Sequence, residues 1–302
     1  MNTPMPEASG FEHVTIETPG LASHVAVIGD GDPVVMLHGF PQHWWQWRTI
    51  APMLAERYRV YCPDLRGSGW TVAESACIER ETRMNDLVAM LDAMELDRVQ
   101  LVCHDMGAIT GMQLAYAHPE RVEALVVLSV PPPFMSFSPK MMSGLRHLPP
   151  LVMHRPGRSL AGLFDPAHVA QPLAPGTIKT YLAPLQRPEI DAAVRDLYRG
   201  MLLPEAALIA RGVCKKQRLH PPTLCVFGRQ DDPYPEALVR RLSGDPAATP
   251  ITPSSPSSTR RRTSSPTTLP RLSPSSSSST SSRSRPPPDR AECLDSASPR
   301  QT

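Results

Sequence analysis

Over its first 130 residues the chain alternates short β-branched apolar runs with longer stretches whose apolar residues recur every three or four positions. Runs of the first kind fit strands buried on both faces, and stretches of the second fit amphipathic helices packed against them. The pattern predicts strands at 13–17, 24–28, 34–37, 59–62, 99–103 and 124–128, and helices at 46–56 and 80–94. With a further helix opening after the strand at 99–103, the order is β-β-β-α-β-α-β-α-β, that of a mostly parallel sheet with helices on its faces. The rhythm breaks at Pro131, Pro132 and Pro133, which end the last of these strands. A Met-, Leu- and Pro-rich helical region follows to about residue 215, and 223–227 then restores a buried strand. This is the profile of a helical insertion, so the chain divides into a first core part (1–130), a helical cap (131–215) and a second core part (216–247).

Composition changes the picture at the far end. Many of the 36 prolines crowd into residues 248–302 among serines, threonines and arginines. Apolar residues are too sparse there to offset the entropy of ordering the chain, so this tail is expected to be disordered. Arg260, Arg261 and Arg262 read as a solvated cluster within it. Over the whole chain 31 basic and 29 acidic residues nearly balance, and no basic face argues for a nucleic-acid partner. Cysteines 62, 77, 103, 214, 225 and 293 show no CxxC pair or ligand spacing, which argues against a metal and for a reducing cytoplasm. The start of the chain lacks a basic segment followed by an apolar stretch, and the longest apolar run, around 124–130, is too short to span a membrane.

Candidate chemistry gathers at strand ends. Residues 101–108 (LVCHDMGA) read as a strand turning sharply into a helix, with the small residues Cys103 and Gly107 on either side of Asp105. A nucleophile elbow of this kind holds its central side chain above the sheet in a strained conformation, and small flanking residues let strand and helix approach. Serine is the usual occupant; a carboxylate there attacks sp³ carbon and forms an alkyl ester. An aspartate before a helix can instead be a simple N-cap. His38, Gly39, Phe40 and Pro41 follow the strand at 34–37, where an oxyanion-hole amide belongs, so Phe40 and Met106 are the candidate donors. Asp64, Leu65, Arg66, Gly67, Ser68 and Gly69 follow the strand at 59–62 and read as a fixed loop near the site. The last segment, 227–233, carries a doubled aspartate and is similar to the turn that holds the triad acid in α/β hydrolases: this likeness implies Asp231 as the acid with Asp232 the alternative, one of them capping a helix expected at 235–242.

In this order and spacing the four segments resemble the epoxide-hydrolase branch of the α/β-hydrolase family, relatives of the haloalkane and haloacetate dehalogenases, over about residues 11–245. The resemblance implies an eight-stranded sheet with a lid, no cofactor, a small apolar electrophile as substrate, and two steps. Asp105 would open an epoxide to an ester, and a His-activated water would hydrolyse it to a diol. The resemblance also implies two cap tyrosines that protonate the opening oxygen. Tyr198 lies at about the family's distance before the triad acid; Tyr181 is a substitute for the other, although His154 sits nearer the expected position. Met106 and Phe40 stand where haloalkane dehalogenases place halide-binding residues, and Met106 where haloacetate dehalogenases place an arginine. Trp44, Trp45 and Trp47 read as packing of the first helix. The family's base lies in a G-H-F-like turn near the C-terminus, whereas the last histidine here is His220, so the triad is incomplete and turnover is expected to be impaired. Resemblance fades near Asp245, as a change of reading frame would make it, with an evolved tail as the alternative. The remaining readings are a non-catalytic ligand- or partner-binding protein and a hydrolase or dehalogenase for another electrophile.

Overall fold

In the computed structural model, residues 3–132, 148–166, 169, 171–228, 234, 236 and 239 are described. Among the described residues eight strands form one sheet: β1 (Glu12–Thr18), β2 (Leu21–Ile28), β3 (Asp32–Leu37), β4 (Tyr58–Pro63), β5 (Val72–Ala73), β6 (Val99–His104), β7 (Val122–Leu128) and β8 (Thr223–Val226). Their order is β1-β2-β4-β3-β6-β7-β8, with β5 beside β2. The pairs among β3, β4, β6, β7 and β8 are parallel, and β2 pairs antiparallel with β1 and β4. The mostly parallel sheet predicted from the apolar runs is therefore present, and the strand bounds agree to within two residues except at the start of β2, which begins three residues earlier than expected. The short strand β5 was not legible in the sequence.

Side-chain alternation along the strands builds a core on each face. In β3, Val35 and Leu37 join the cluster containing Leu101, Cys103, Leu125 and Val127, while Val34 and Met36 join the one containing Trp44, Trp47, Val60 and Cys62. Helices α2 (Thr82–Ala93) and α3 (Met106–Ala117) cover the first face. The helix expected at 46–56 is replaced by a 3-10 turn, Trp44–Trp47, and one helical turn, α1 (Ala51–Leu54). Pro52 explains the break, because it has no N–H to return to the carbonyl of Arg48. Trp44 and Trp47 are nonetheless buried against the sheet, as expected of packing residues.

Register brings the strand ends together. Leu37 pairs with Cys103, His104 with Leu128, and Leu128 with Val226, so β3, β6, β7 and β8 all release the chain at one sheet edge. The loops that follow open strands of this kind are where α/β folds place ligands. Beyond β7 come the helices α4 (Leu148–Val152), α5 (Pro175–Leu182), α6 (Pro188–Asp196) and α7 (Leu203–Ala210), with a π-helical turn, Leu197–Leu202, between the last two. Leu151, Val194, Leu197 and Tyr198 from this region bury Phe40, Met106 and Ile109. Among the described residues no helix is long and apolar enough to cross a membrane.

The loop after β4 is held by a buried anion. The Asp64 carboxylate accepts from the backbone N–H of Trp44 (2.7 Å) and of Trp70 (2.9 Å), and its Oδ2 lies 2.7 Å from Nδ1 of His24. Gly69 passes so close that a Cβ would lie 2.1 Å from Asp64 Cγ. Burial pushes the Asp64 carboxyl up, but the His24 hydrogen bond and the nearby His24, His43 and His38 outweigh it and hold the carboxyl below its ordinary range. Its contribution to stability is therefore complete above the unfolded value and is lost as pH falls through the folded one. Asp64→Ala should cost about 3 kcal/mol at neutral pH, since three donors lose a charged acceptor, and should flatten the acid limb of stability. Denaturant unfolding between neutral and acidic pH checks this; an unchanged acid limb would show that the loop does not depend on the carboxylate.

Candidate active site

Asp105 joins β6 to α3 with φ 48° and ψ −120°, a left-handed backbone that a non-glycine residue adopts at a cost of about 1–3 kcal/mol. Tight packing on all sides imposes it. A Cβ on Gly107 would lie 2.5 Å from the His38 carbonyl oxygen, and one on Gly111 2.4 Å from Cys103 Sγ, so α3 approaches both neighbouring strands as closely as its glycines permit. Cys103 is the small residue that the elbow requires before its central position.

Asp105 stands at the N-cap position of α3, but its side chain makes no capping hydrogen bond. Its Oδ2 instead accepts from the Phe40 N–H at 2.9 Å. Gly39 makes this possible, since a Cβ there would fall 2.7 Å from Asp105 Cβ and 3.0 Å from Oδ2. The loop carrying Phe40 is fixed in turn by His38, whose Nδ1 bonds the Gly39 carbonyl at 2.7 Å and whose Nε2 accepts from the Leu65 N–H at 3.0 Å. Burial pulls the His38 imidazole down to about 4, which keeps it neutral and able to accept. The Met106 N–H opens α3 and has no acceptor within its own helix.

Tyr198 lies across Phe40, edge-on at 5.5 Å between ring centres, and is 4% exposed. Its position follows from the π-helical turn: the Leu203 N–H returns to the Tyr198 carbonyl, five residues back, and Pro204 next to it has no N–H to restore the regular pattern. Burial and then the Asp105 charge push the Tyr198 hydroxyl well above its ordinary value, while Arg83 pulls it down. The phenol is a proton donor at neutral pH. Asp105, Phe40, Met106 and Tyr198 are thus gathered at one sheet edge.

Other expected residues lie elsewhere or are engaged. Tyr181 accepts from Arg48 Nη1 at 3.1 Å and packs among Phe164, Trp45 and His43, in a separate aromatic group. His154 Nε2 is 2.5 Å from Asp191 Oδ1, tying α6 to the turn after α4. Asp231 and Asp232 fall outside the described residues. Among the described residues no group of three or more His, Cys, Asp or Glu could hold a metal ion.

Two features were missed. Arg83 is buried beside the site, and its signal was a charge on the apolar stripe of α2 shared with Leu87, Met90 and Leu91. A cavity of about 420 Å³ lies between α3 and α7, lined by Met112, Gln113, Leu202 and Glu205 among others. It shares Ile109 and Leu202 with the cluster around Tyr198, although Asp105 is not in its wall.

Residues 32–152 match the family model for the alpha/beta hydrolase fold. The chain is 44% identical over 123 residues to an epoxide hydrolase of Siraitia grosvenorii, a match covering 40% of this chain and 39% of that protein. It is 33% identical over 133 residues to a fluoroacetate dehalogenase of Burkholderia, covering 42% and 44% respectively. These matches span less than half the length of the curated relatives. The crystal structure of an epoxide hydrolase from Vigna radiata superposes with a TM-score of 0.60 at 27% identity, covering 78% of this chain and 85% of that one.

The strained elbow has a measurable consequence. Asp105→Gly should raise stability by about 1 kcal/mol in denaturant unfolding, because glycine adopts this backbone without penalty and the gain exceeds the loss of one hydrogen bond to Phe40. A clear destabilisation would contradict the strain.

Proposed function

We propose that this chain, which has the fold of the α/β hydrolases, opens a small apolar epoxide through an alkyl ester on Asp105. The observation that carries this reading is a carboxylate in a left-handed elbow, one oxygen on the Phe40 N–H and a buried phenol across the same ring. Because Oδ2 is held by Phe40, Oδ1 is the attacking atom. As the Oδ1–carbon bond forms, the epoxide carbon–oxygen bond breaks and the released oxygen takes the Tyr198 proton. Oδ2 becomes the carbonyl oxygen of the ester, so the Phe40 N–H already sits where negative charge would develop when water attacks, and the Met106 N–H is the second donor. The helices between β7 and β8 serve as a cap that keeps this chemistry away from water.

The names of the relatives in Siraitia and Vigna support an epoxide as the electrophile. The same nucleophile could displace a halide, but Met106 offers no charge to hold a substrate carboxylate. Ester hydrolysis needs a base to activate water. Among the described histidines, His38 is bound to Gly39 and Leu65, His24 to Asp64, and His154 to Asp191. His104 adjoins the nucleophile, and burial pulls its imidazole down while Asp105 raises it; it is not assigned the base's role. Tyr181 and His154 are not assigned the role of a second acid, and Asp231, ahead of Asp232, remains our choice for a triad acid.

The 302-residue chain should therefore form the ester and release it slowly. Incubation with styrene oxide should give one stoichiometric burst and an added mass on the peptide containing Asp105, and Asp105→Asn should abolish the adduct. A general base is worth about 10²–10⁴ in rate, so sustained turnover would show that another group supplies it. A folded sample that forms no adduct would overturn the epoxide reading.

A further inference from the structure

Arg83 takes no part in the chemistry described above, yet its placement is costly. It is 1% exposed, and a buried charge without an ionic contact partner has given up hydration that nothing replaces in full. Its hydrogen bonds go only to neutral groups: Nε and Nη2 donate to the Arg66 carbonyl at 3.0 and 2.6 Å, and Nη2 to Ser68 Oγ at 3.0 Å. Asp86, three residues along α2, does not neutralise it by contact, since both carboxylate oxygens are taken by Arg66 at 2.7 and 2.8 Å. The loop that holds the guanidinium packs against α6, which leads directly into the turn carrying Tyr198, and that turn rests on Ile78. A Cβ on Gly67 would lie 2.7 Å from Ala193 Cβ, and one on Gly200 would collide with the Ile78 carbonyl. Arg187 Nη1 donates to the Gly69 carbonyl at 3.0 Å. The carboxylates of Asp86 and Asp105, and Tyr198 when it is ionised, attract Arg83, and Arg66 repels it.

We propose that Arg83 is a positioning residue of this site, a buried cation that stabilises negative charge as it passes from Asp105 to Tyr198 during ring opening. The proposal rests on the reading of Tyr198 as the acid. Before the step the charge is on the Asp105 carboxylate. When Oδ1 bonds to carbon and the released oxygen takes the phenol proton, Asp105 becomes a neutral ester and Tyr198 a phenolate. One negative charge is present throughout, and Arg83 is coupled to both of its locations. Burial alone makes a phenolate at Tyr198 unfavourable; the cation offsets that penalty at the moment the proton leaves.

The full chain carrying 3,5-difluorotyrosine at position 198, whose phenol is intrinsically more acidic, can be titrated by ¹⁹F NMR without any substrate. Relative to the Arg83 parent, Arg83→Gln should raise the midpoint by about one pH unit, which corresponds to about tenfold in the phenolate equilibrium. With Tyr198 unlabelled, it should slow adduct formation from styrene oxide about tenfold. Arg83→Lys keeps the charge but not the forked hydrogen bonds, and should bring both quantities most of the way back. A merely structural arginine would leave the midpoint unmoved, and that result, or equal losses in the Gln and Lys variants, would overturn the proposal. If Arg83→Gln does not fold, Arg83→Met removes the charge while filling the space and carries the same readouts. If neither folds, Arg83→Lys alone decides: a midpoint near that of the parent supports the cation, and an adduct rate as low as that of Tyr198→Phe refutes it. Failure of the parent to form any adduct would defeat the epoxide reading, while the titration would still report on the coupling between Arg83 and Tyr198.

Discussion

The hydrogen bond from the Phe40 N–H to Asp105 Oδ2 is the contact on which the arrangement of the site depends. It joins the loop after β3 to the turn after β6, and it forms only because these parallel neighbours end in register. Gly39 must lack a side chain for the two backbones to meet, and Gly107 must lack one for α3 to descend beside β3. The hydrogen bond distinguishes the two carboxylate oxygens, one held and one available. An aspartate that merely capped α3 would have turned its oxygens toward the helix, and this one does not.

Two buried ions stabilise the surroundings of that contact in different ways. Asp64 is surrounded by donors and is a structural anchor: it draws the backbone of Trp44 and Trp70 and the ring of His24 onto one carboxylate. Arg83 is held by neutral groups and keeps its charge directed toward its surroundings. Both act on the loop 64–69, which packs against Ala193 of α6 and accepts from Arg187 through the Gly69 carbonyl.

Much of this was legible in the sequence because it is periodic or local. Strands such as β6 and β7 are predominantly apolar and rich in valine and leucine, and the small residues around Asp105 mark a turn that few other arrangements would need. The first helix was misread because apolar residues at three- and four-residue spacing over 46–56 outweighed the effect of Pro52. The Tyr181 environment depends on contacts to Arg48 and Phe164 that no spacing reveals. Arg83 stood in plain view on an apolar stripe, but a single arginine at such a position reads as a stem covering the core until its hydrogen bonds are seen. The expected acid at Asp231 lies outside the described residues, although β8 leads the chain out beside β7, at the edge where Asp105 stands.

If a covalent bond forms between Asp105 and substrate, isotope labelling will locate it. After reaction with an excess of protein over epoxide, the bound product is released by mild base in H₂¹⁸O. An ester on Asp105 that is cleaved at its acyl carbon places the heavy oxygen in the Asp105 carboxylate and leaves the diol unlabelled. Label in the diol with none in the Asp105 peptide would mean that water attacks the epoxide directly, and the account of Asp105 as nucleophile would be wrong.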